Sequence, residues 1–475
     1  MIDRKQRLAV ALCLGSLLLF TTGCSTFAPT HRGAESLTIP ESYTLYDNRP
    51  RPLTPWWETF ENPELSGLMD EALSENLTLK EAWARLRQST AQLKAAEAAL
   101  IPSVNLEASG ETTNREGDQE SSSDTVNLGL AASYEIDLWG RIRALKKAQD
   151  MRLSARRADV ETAAITLSGQ VAEAWTDLVA TRSEIALLKE QIQLNKTLLK
   201  ALELRFENSL VSVVDVLRQR KAIGQLAAEL PPLLEEESRY QNSLALLLGR
   251  LPGEAPQVTT TNLPLPQRLP TSGLPADLLA MRPDIRSAGL SLKAEEWEIS
   301  AARADRLPSL SITARARYTG DGFESLFDNW LTNLAANLTG PIFDAGRRKA
   351  EVKRARAEAE EQLATYKKTV LTAMGEVENA LTAEMRQRQR VSAMEDVLET
   401  SKQTLAESEN RYTRGATDYV TLLGELRDLQ TLERSIVQQK ANLMKRRITL
   451  CRTLGGSWTQ ELADPANTES NTTRE

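Results

Sequence analysis

Histidine is almost missing from this chain: His31 is the only one among 475 residues, in a stretch rich in Pro, Ser and Thr. That argues against histidine-based acid–base chemistry and against most zinc sites, while leaving carboxylate-only chemistry open. Cysteine is nearly as scarce. Cys13, Cys24 and Cys451 form no Cys-x-x-Cys pair, so no disulfide framework is implied. Cys13 falls in a segment expected to be removed, and Cys451, in a predicted helix, reads as a small buried residue. Aromatics make up only 5% of the chain against 26% charged residues. This balance suits a helix-rich protein with long solvated faces better than a compact aromatic core. The formal net charge of -7 gives no reason to expect a nucleic-acid partner. Beyond the N-terminal region no stretch stays apolar for about 18 residues, so no membrane-spanning helix is expected.

What is present begins with an address. Arg4, Lys5 and Arg7 precede an apolar run from Leu8 to Phe20, broken only by Gly15 and Ser16. This is the charged region and short apolar core of a secretory signal over 1–23. Thr21-Thr22-Gly23-Cys24-Ser25 resembles a bacterial lipobox, with Thr21 where the usual pattern has Leu. Cys24 is then the acylated first residue of the mature chain. Ser25, rather than Asp, follows it, which fits sorting to the outer membrane. Each buried acyl methylene contributes about 0.8 kcal/mol, so two or three chains anchor firmly. The competing reading is an ordinary signal with an incidental cysteine.

The chain also repeats itself at an offset of 206 residues. Pro102-Ser103 matches Pro308-Ser309, Gly140-Arg141 matches Gly346-Arg347, Arg205-Phe206 matches Arg411-Tyr412, and Leu248-Gly249 matches Leu454-Gly455. Two copies of one unit are expected, over 63–250 and 276–456. A Pro- and Thr-rich linker at 251–275 joins them, an extension at 24–62 precedes them, and a flexible tail at 457–475 follows.

Within each unit the periodicity changes from two to three-and-a-half. Around 103–136 and 309–342 apolar and polar residues alternate: Val126, Leu128, Leu130, Ala132, Tyr134 and Ile136 share one parity, Asn127, Gly129, Ala131, Ser133 and Glu135 the other. Strands of about ten residues with this pattern fit a membrane β-barrel, and a soluble sheet with one buried face equally. The polar segments Glu111 to Ser123 and Thr319 to Asn329 would close two hairpins. Four strands cannot close a barrel, and open edges in lipid cost several kcal/mol per unpaired amide. A lipid-embedded sheet would therefore be shared by a cyclic oligomer.

From about Arg141 to Asn208 there is no proline and one glycine, Gly169. Such a helix would run roughly 100 Å at 1.5 Å per residue. Val160, Ala164, Leu167, Val171, Ala174, Leu178, Ile185, Leu188, Ile192, Leu199, Leu202 and Phe206 step along it as a heptad seam interrupted by Thr181 and Asn195. A matching helix is expected over Arg347 to Arg414. Each turns back, at Asn208, Ser209 and Leu210 and at Arg414 and Gly415, into a return helix of half its length. Pro231-Pro232 should kink the first return helix. A further helix is expected before each strand pair, near Pro63 to Leu100 and Pro275 to Arg306.

Several motifs occur in order across both units: Trp56-Trp57-Glu58-Thr59-Phe60, Asn62-Pro63-Glu64-Leu65, Asp137-Leu138-Trp139-Gly140-Arg141, Leu247-Leu248-Gly249, Arg282-Pro283-Asp284-Ile285-Arg286 and Phe343-Asp344-Ala345-Gly346-Arg347. With Cys24, they resemble the TolC-like outer membrane factor family, in particular its NodT-like lipoprotein branch. The resemblance implies a mainly α fold with a transmembrane β portion. Long helical hairpins would form a periplasmic α-barrel, and four strands per chain would enter a shared, trimeric twelve-stranded β-barrel. It implies a homotrimer in outer-membrane lipid, a periplasmic adaptor, an inner-membrane pump of the resistance-nodulation-division type, no cofactor and no catalysis.

By the same resemblance the duct narrows at the hairpin turns. Candidate gate residues are Asp418, Tyr419, Thr421 and Gly424 in the second unit and Asp215 and Arg218 in the first. Thr421 and Gly424 stand where relatives can carry carboxylates, so the acidic pattern is incomplete. Asp418 is equally well placed to cap the following helix. Small-molecule efflux leads; protein secretion of type I, a coiled-coil scaffold without a lumen, and an enzyme are the competing functions.

Overall fold

The computed structural model describes residues 27–29, 55–115, 121–265 and 281–464. Cys13, Cys24 and His31 lie outside them. After a short 3-10 helix, Trp56–Phe60, come α1 (Pro63–Glu75), α2 (Leu77–Ala98), β1 (Ser103–Arg115), β2 (Ser121–Ile136), α3 (Arg141–Glu207) and α4 (Val213–Leu247). The second half gives α5 (Pro283–Ala304), β3 (Ser309–Gly320), β4 (Asn329–Thr339), α6 (Arg347–Thr413) and α7 (Tyr419–Thr453), then a second 3-10 helix, Ser457–Glu461. The offset holds for the helices and for the first strand of each pair, while β4 is shorter than β2 at both ends. Leu77 and Pro283, Ser103 and Ser309, Arg141 and Arg347, and Val213 and Tyr419 begin equivalent elements. Both long helices have 67 residues and both return helices 35. Among the described residues no helix is long and apolar enough to cross a membrane.

The chain divides into two compact units. One gathers Arg85–Arg157 and Ser287–Lys368 with the described part of Met1–Leu37, and holds the sheet. The four strands are antiparallel in the order β1-β2-β3-β4, so the two predicted hairpins merge through β2 and β3. The register sets the faces. Val104, Ala132, Ala314 and Leu334 lie in one row, and Leu106, Leu130, Ala316 and Thr332 in another. The alternate rows carry Asn105, Ala131, Arg315 and Asn333, and Ser109, Asn127, Thr319 and Asn329. A one-residue slip on any strand would mix the faces. Across the polar face Arg315 stands 3.7 Å from Glu107. Leu106, Leu334 and Leu338 on the apolar face are about 70% exposed. The strands run further than expected: β1 continues to Arg115 and β2 starts at Ser121, which shortens the Glu111–Ser123 loop.

The second unit comprises Thr38–Ala84, Ala158–Arg286 and Thr369–Glu475. Its core is the seam of α3: Val160, Ala164, Val171, Leu178 and Leu188 are fully buried. The helix expected over Pro63 to Leu100 is two helices. Asn76 breaks it, capping α2 through its Oδ1 from the Leu79 amide at 3.0 Å and donating Nδ2 to the Leu247 carbonyl at 2.8 Å. A side chain already bonded to both neighbours holds Asn76 extended and ends α1. The return helix α4 runs through Pro231 and Pro232 without ending. Both prolines are exposed, so water can satisfy the carbonyls left without donors. The region assigned to a flexible tail is folded to residue 464: Trp458 packs edge-on against Trp57 at 4.7 Å, and Thr459 is buried against Glu161. Trp56, Trp57 and Phe60, placed in the N-terminal extension, likewise belong to this core, with Trp56 Nε1 donating to Ser168.

The described part of the linker, 251–265, has no helix or strand but is fastened. Glu64 of α1 accepts the amides of Thr259 and Thr260 and the Thr259 hydroxyl, while Trp175 Nε1 donates to its other oxygen. Arg182 reaches the Val258 carbonyl and Glu237, and Ser183 the Thr261 carbonyl. Burial alone would raise the Glu64 carboxyl, yet the donors from Trp175, Thr259 and Thr260 together hold it below its ordinary value.

Candidate gate and docking site at the hairpin turns

Both turns use the same backbone device. In the first, Ser209 is left-handed (φ 54°), and the amides of Ser209 and Leu210 bond back to Phe206 and Arg205. In the second, Gly415 takes the equivalent place (φ 73°), with Gly415 and Ala416 bonded to Tyr412 and Arg411. These are Schellman-type ends that satisfy the last carbonyls of each long helix. Asn208 adds a side-chain bond to the Leu204 carbonyl at 2.8 Å. The turns differ in surface chemistry. Leu210 is 66% exposed, with Val213, Val214 and Leu217 exposed beside it, whereas Arg414, Gly415 and Thr413 are the exposed residues of the second.

The return helices start with a shared cap whose parts are exchanged. At α4, Ser212 is the N-cap and Asp215 closes the capping box by accepting the Ser212 amide. At α7, Asp418 is the N-cap and accepts the Thr421 amide at 2.9 Å and its hydroxyl at 2.7 Å. An acid in the first turn also meets the positive end of the helix dipole. Arg218 lies 3.3 Å from Asp215 and acts electrostatically on Asp418. The structure thus brings together Asp215, Arg218, Asp418 and Thr421. The Thr421 hydroxyl and amide, then Arg218, hold the Asp418 carboxyl below its ordinary value.

Tyr419 is not at the surface. Its ring is buried in a cluster with Leu202, Val216, Ala222 and Leu423, against which Leu199, Val211 and Tyr412 pack. Burial, then Tyr412 and Asp215, push its phenol well up. Gly424 is exposed and a side chain there would meet open space. Leu217 and Leu423, equivalent by the repeat, part company: the first is exposed and the second buried. The two hairpins therefore meet through non-equivalent faces.

Beneath the turns lies a chain of buried amides. Tyr419 Oη donates to Gln219 Oε1 at 2.7 Å, and Gln219 Nε2 donates to Asn195 Oδ1 at 3.0 Å. Asn195 Nδ2 reaches the Gln191 carbonyl at 2.8 Å and Gln430 Oε1 at 3.2 Å. Gln191 Nε2 bonds the Gln430 carbonyl and Glu433, and Arg434 closes the run onto Gln191 and Glu229. All three helices α3, α4 and α7 contribute. Sequence reasoning missed Gln191, Gln219 and Gln430. The visible signal was Asn195, a polar residue at a seam position, which in packed helices specifies register.

Comparison with known proteins gives this arrangement its context. The outer membrane efflux protein profile matches residues 68–250 and 274–456. The pyoverdine export outer membrane protein OpmQ of Pseudomonas putida is 30% identical, over 94% of this chain and 97% of that one. The cation efflux system protein CusC of Escherichia coli is 27% identical over 93% of this chain and 97% of its own length. The solved outer-membrane channel OprN superposes with a TM-score of 0.82 at 25% identity, covering 92% of this chain and 98% of that one. Four strands in one antiparallel sheet, two equal helical hairpins and a match across both repeats lead to one assignment: the chain belongs to the outer membrane efflux protein family.

Proposed function

We propose that this chain is the outer-membrane exit duct of a tripartite exporter, lipid-anchored through Cys24, and that it catalyses no reaction. The observation that carries the reading is the sheet. Its register separates an apolar from a polar face, its apolar residues stand exposed in a single chain, and β1 and β4 have no outer partner among the described residues. Three copies joined edge to edge would close a twelve-stranded barrel, with the apolar face to lipid and the polar face to the lumen. The mature chain then comprises an anchor segment and two repeats, 63–250 and 276–456, linked by 251–275.

In this reading an adaptor docks on the turns around Asn208, Ser209, Leu210, Arg414 and Gly415, and an inner-membrane pump, of the resistance-nodulation-division type, supplies the energy. Asp418, Thr421, Asp215 and Arg218 form a polar ring at the constriction, with Gly424 leaving its own position open. OpmQ and CusC carry different cargoes by name, which fits a duct that takes its specificity from the pump. Small-molecule efflux is therefore preferred to protein secretion. Conductance of the purified oligomer in a planar bilayer tests the reading: Asp418→Ala should raise the open fraction. Absence of conductance in both parent and variant would favour a scaffold. In a deletion strain, sensitivity to several unrelated compounds marks efflux, and loss of one exported protein marks secretion.

A further inference from the structure

We propose that Phe27 is a peg that fixes the lipid-anchor segment to the foot of the sheet; the inference rests on the reading of Cys24 as the acylated residue. Phe27 is half-buried at an apolar cavity of about 170 Å3 lined by Trp139, Gly140, Arg143, Ala144, Lys147 and Trp297. The site lies where β2 ends at Ile136 and α3 begins at Arg141. Its walls are held from outside. Trp139 Nε1 donates to the Pro308 carbonyl at 2.7 Å, next to the start of β3. The guanidinium of Arg143 is turned back onto Asp137 at 3.1 Å, so its methylenes are free to serve as wall. Phe27 thus forms one wall of an apolar cavity together with Trp139 and Trp297, while the indole N–H of Trp139 and the guanidinium of Arg143 are engaged elsewhere.

The consequence follows from chain length. Phe27 is three residues from Cys24, so the two Cα atoms are no more than about 11 Å apart. A tether held only from Trp56 onward would let Cys24 wander on the order of 30 Å. The peg therefore brings the acyl chains to the bilayer beside the last residue of β2 and the first of β3, where the sheet meets α3.

A nitroxide on Ala28→Cys in the full-length oligomer tests this, since Ala28 is exposed and Cys451 is buried. The label should be immobilised in the parent. Phe27→Ala should raise its mobility severalfold, and Trp297→Ala, which removes another wall of the cavity, should do the same; Phe27→Leu should retain partial immobilisation. A label already mobile in the parent overturns the peg, as does one that stays immobilised in both alanine variants. The intact mass of the same preparation reads acylation separately. Where the mass shows an unacylated chain, the measurement is repeated with Cys24→Ser so that the label reports Ala28→Cys alone; immobilisation there overturns the lipid reading of Cys24 and leaves the peg standing.

Discussion

The hydroxyl of Tyr419 is one atom in a buried run that spans three helices, and its removal is a clean probe. Tyr419→Phe keeps the ring in its cluster and leaves Gln219 Oε1 without that donor. Stranding a buried acceptor costs about 1–3 kcal/mol, so the thermal midpoint of the solubilised oligomer should fall; an unchanged midpoint would mean the run adds no stability. Asp418 behaves differently because it is exposed. Its folded carboxyl value lies below the ordinary 3.8, so its contribution is complete above that value and is lost only as pH falls through the lower one. Conductance governed by Asp418 should therefore not change between about pH 7 and pH 5. A transition in that window that survives Asp418→Ala must come from another group. At this scale the sequence exposed Asn195 and the cap role of Asp418, which depend on local spacing. It could not expose Gln219 or Gln430, because whether a glutamine on a long helix is solvated or buried depends on which face a distant helix covers.

Elements succeed or fail on their ends. Gly249 and Gly455 both take positive φ, at 75° and 73°, just past α4 and α7. A Cβ on Gly249 would lie 2.7 Å from the Glu75 carbonyl oxygen, and one on Gly455 3.0 Å from that of Met281, the equivalent residue. Alanine at either position should cost about 1–2 kcal/mol for the left-handed backbone alone, with the close approach adding to it. Thermal scans of the two variants check this, and equal losses are expected if the repeats are held alike. The linker strap offers a test by acid. Because Glu64 titrates below its ordinary 4.5 in the folded state, its contribution is full above that pH and lost as pH falls through the lower folded value. Glu64→Gln should flatten this part of the acid-unfolding limb and speed proteolysis within 251–265. The lengths of the two 67-residue helices were legible because neither holds a proline, each holds a single glycine, and turn residues flank them. The break at Asn76 was not, since asparagine inside a helical pattern is ordinary until its side chain finds a carbonyl as distant as that of Leu247. The fold of 457–464 was hidden for the same reason: a short polar segment gives no period, and only Trp57 explains it.

For the whole molecule, the two faces of the sheet make opposite forecasts for one substitution. Leu334→Arg puts a charge on the apolar face and should cost about 2–4 kcal/mol if that face meets the bilayer midplane. Assembly of the oligomer in the outer membrane should drop accordingly. Asn337→Arg, on the other parity, should assemble normally and alter conductance. Equal assembly of both variants would argue that the sheet does not enter lipid. The ordered motifs, from Trp56-Trp57 to Phe343-Asp344-Ala345-Gly346-Arg347, carried the family reading from the sequence, whereas the joining of the two hairpins through β2 and β3 is a pairing between residues far apart in the chain.

The matched limbs also constrain how such a chain can change. Two hairpins with 67-residue and 35-residue limbs, repeated at one fixed offset along the chain, share a common measure. Deleting a heptad from both limbs of one hairpin would leave its turn short of its neighbour's, while the same deletion in both repeats would preserve the match. Length in this protein is thus set in pairs, and a change of reach that keeps the two turns level needs two matched edits, one in each repeat.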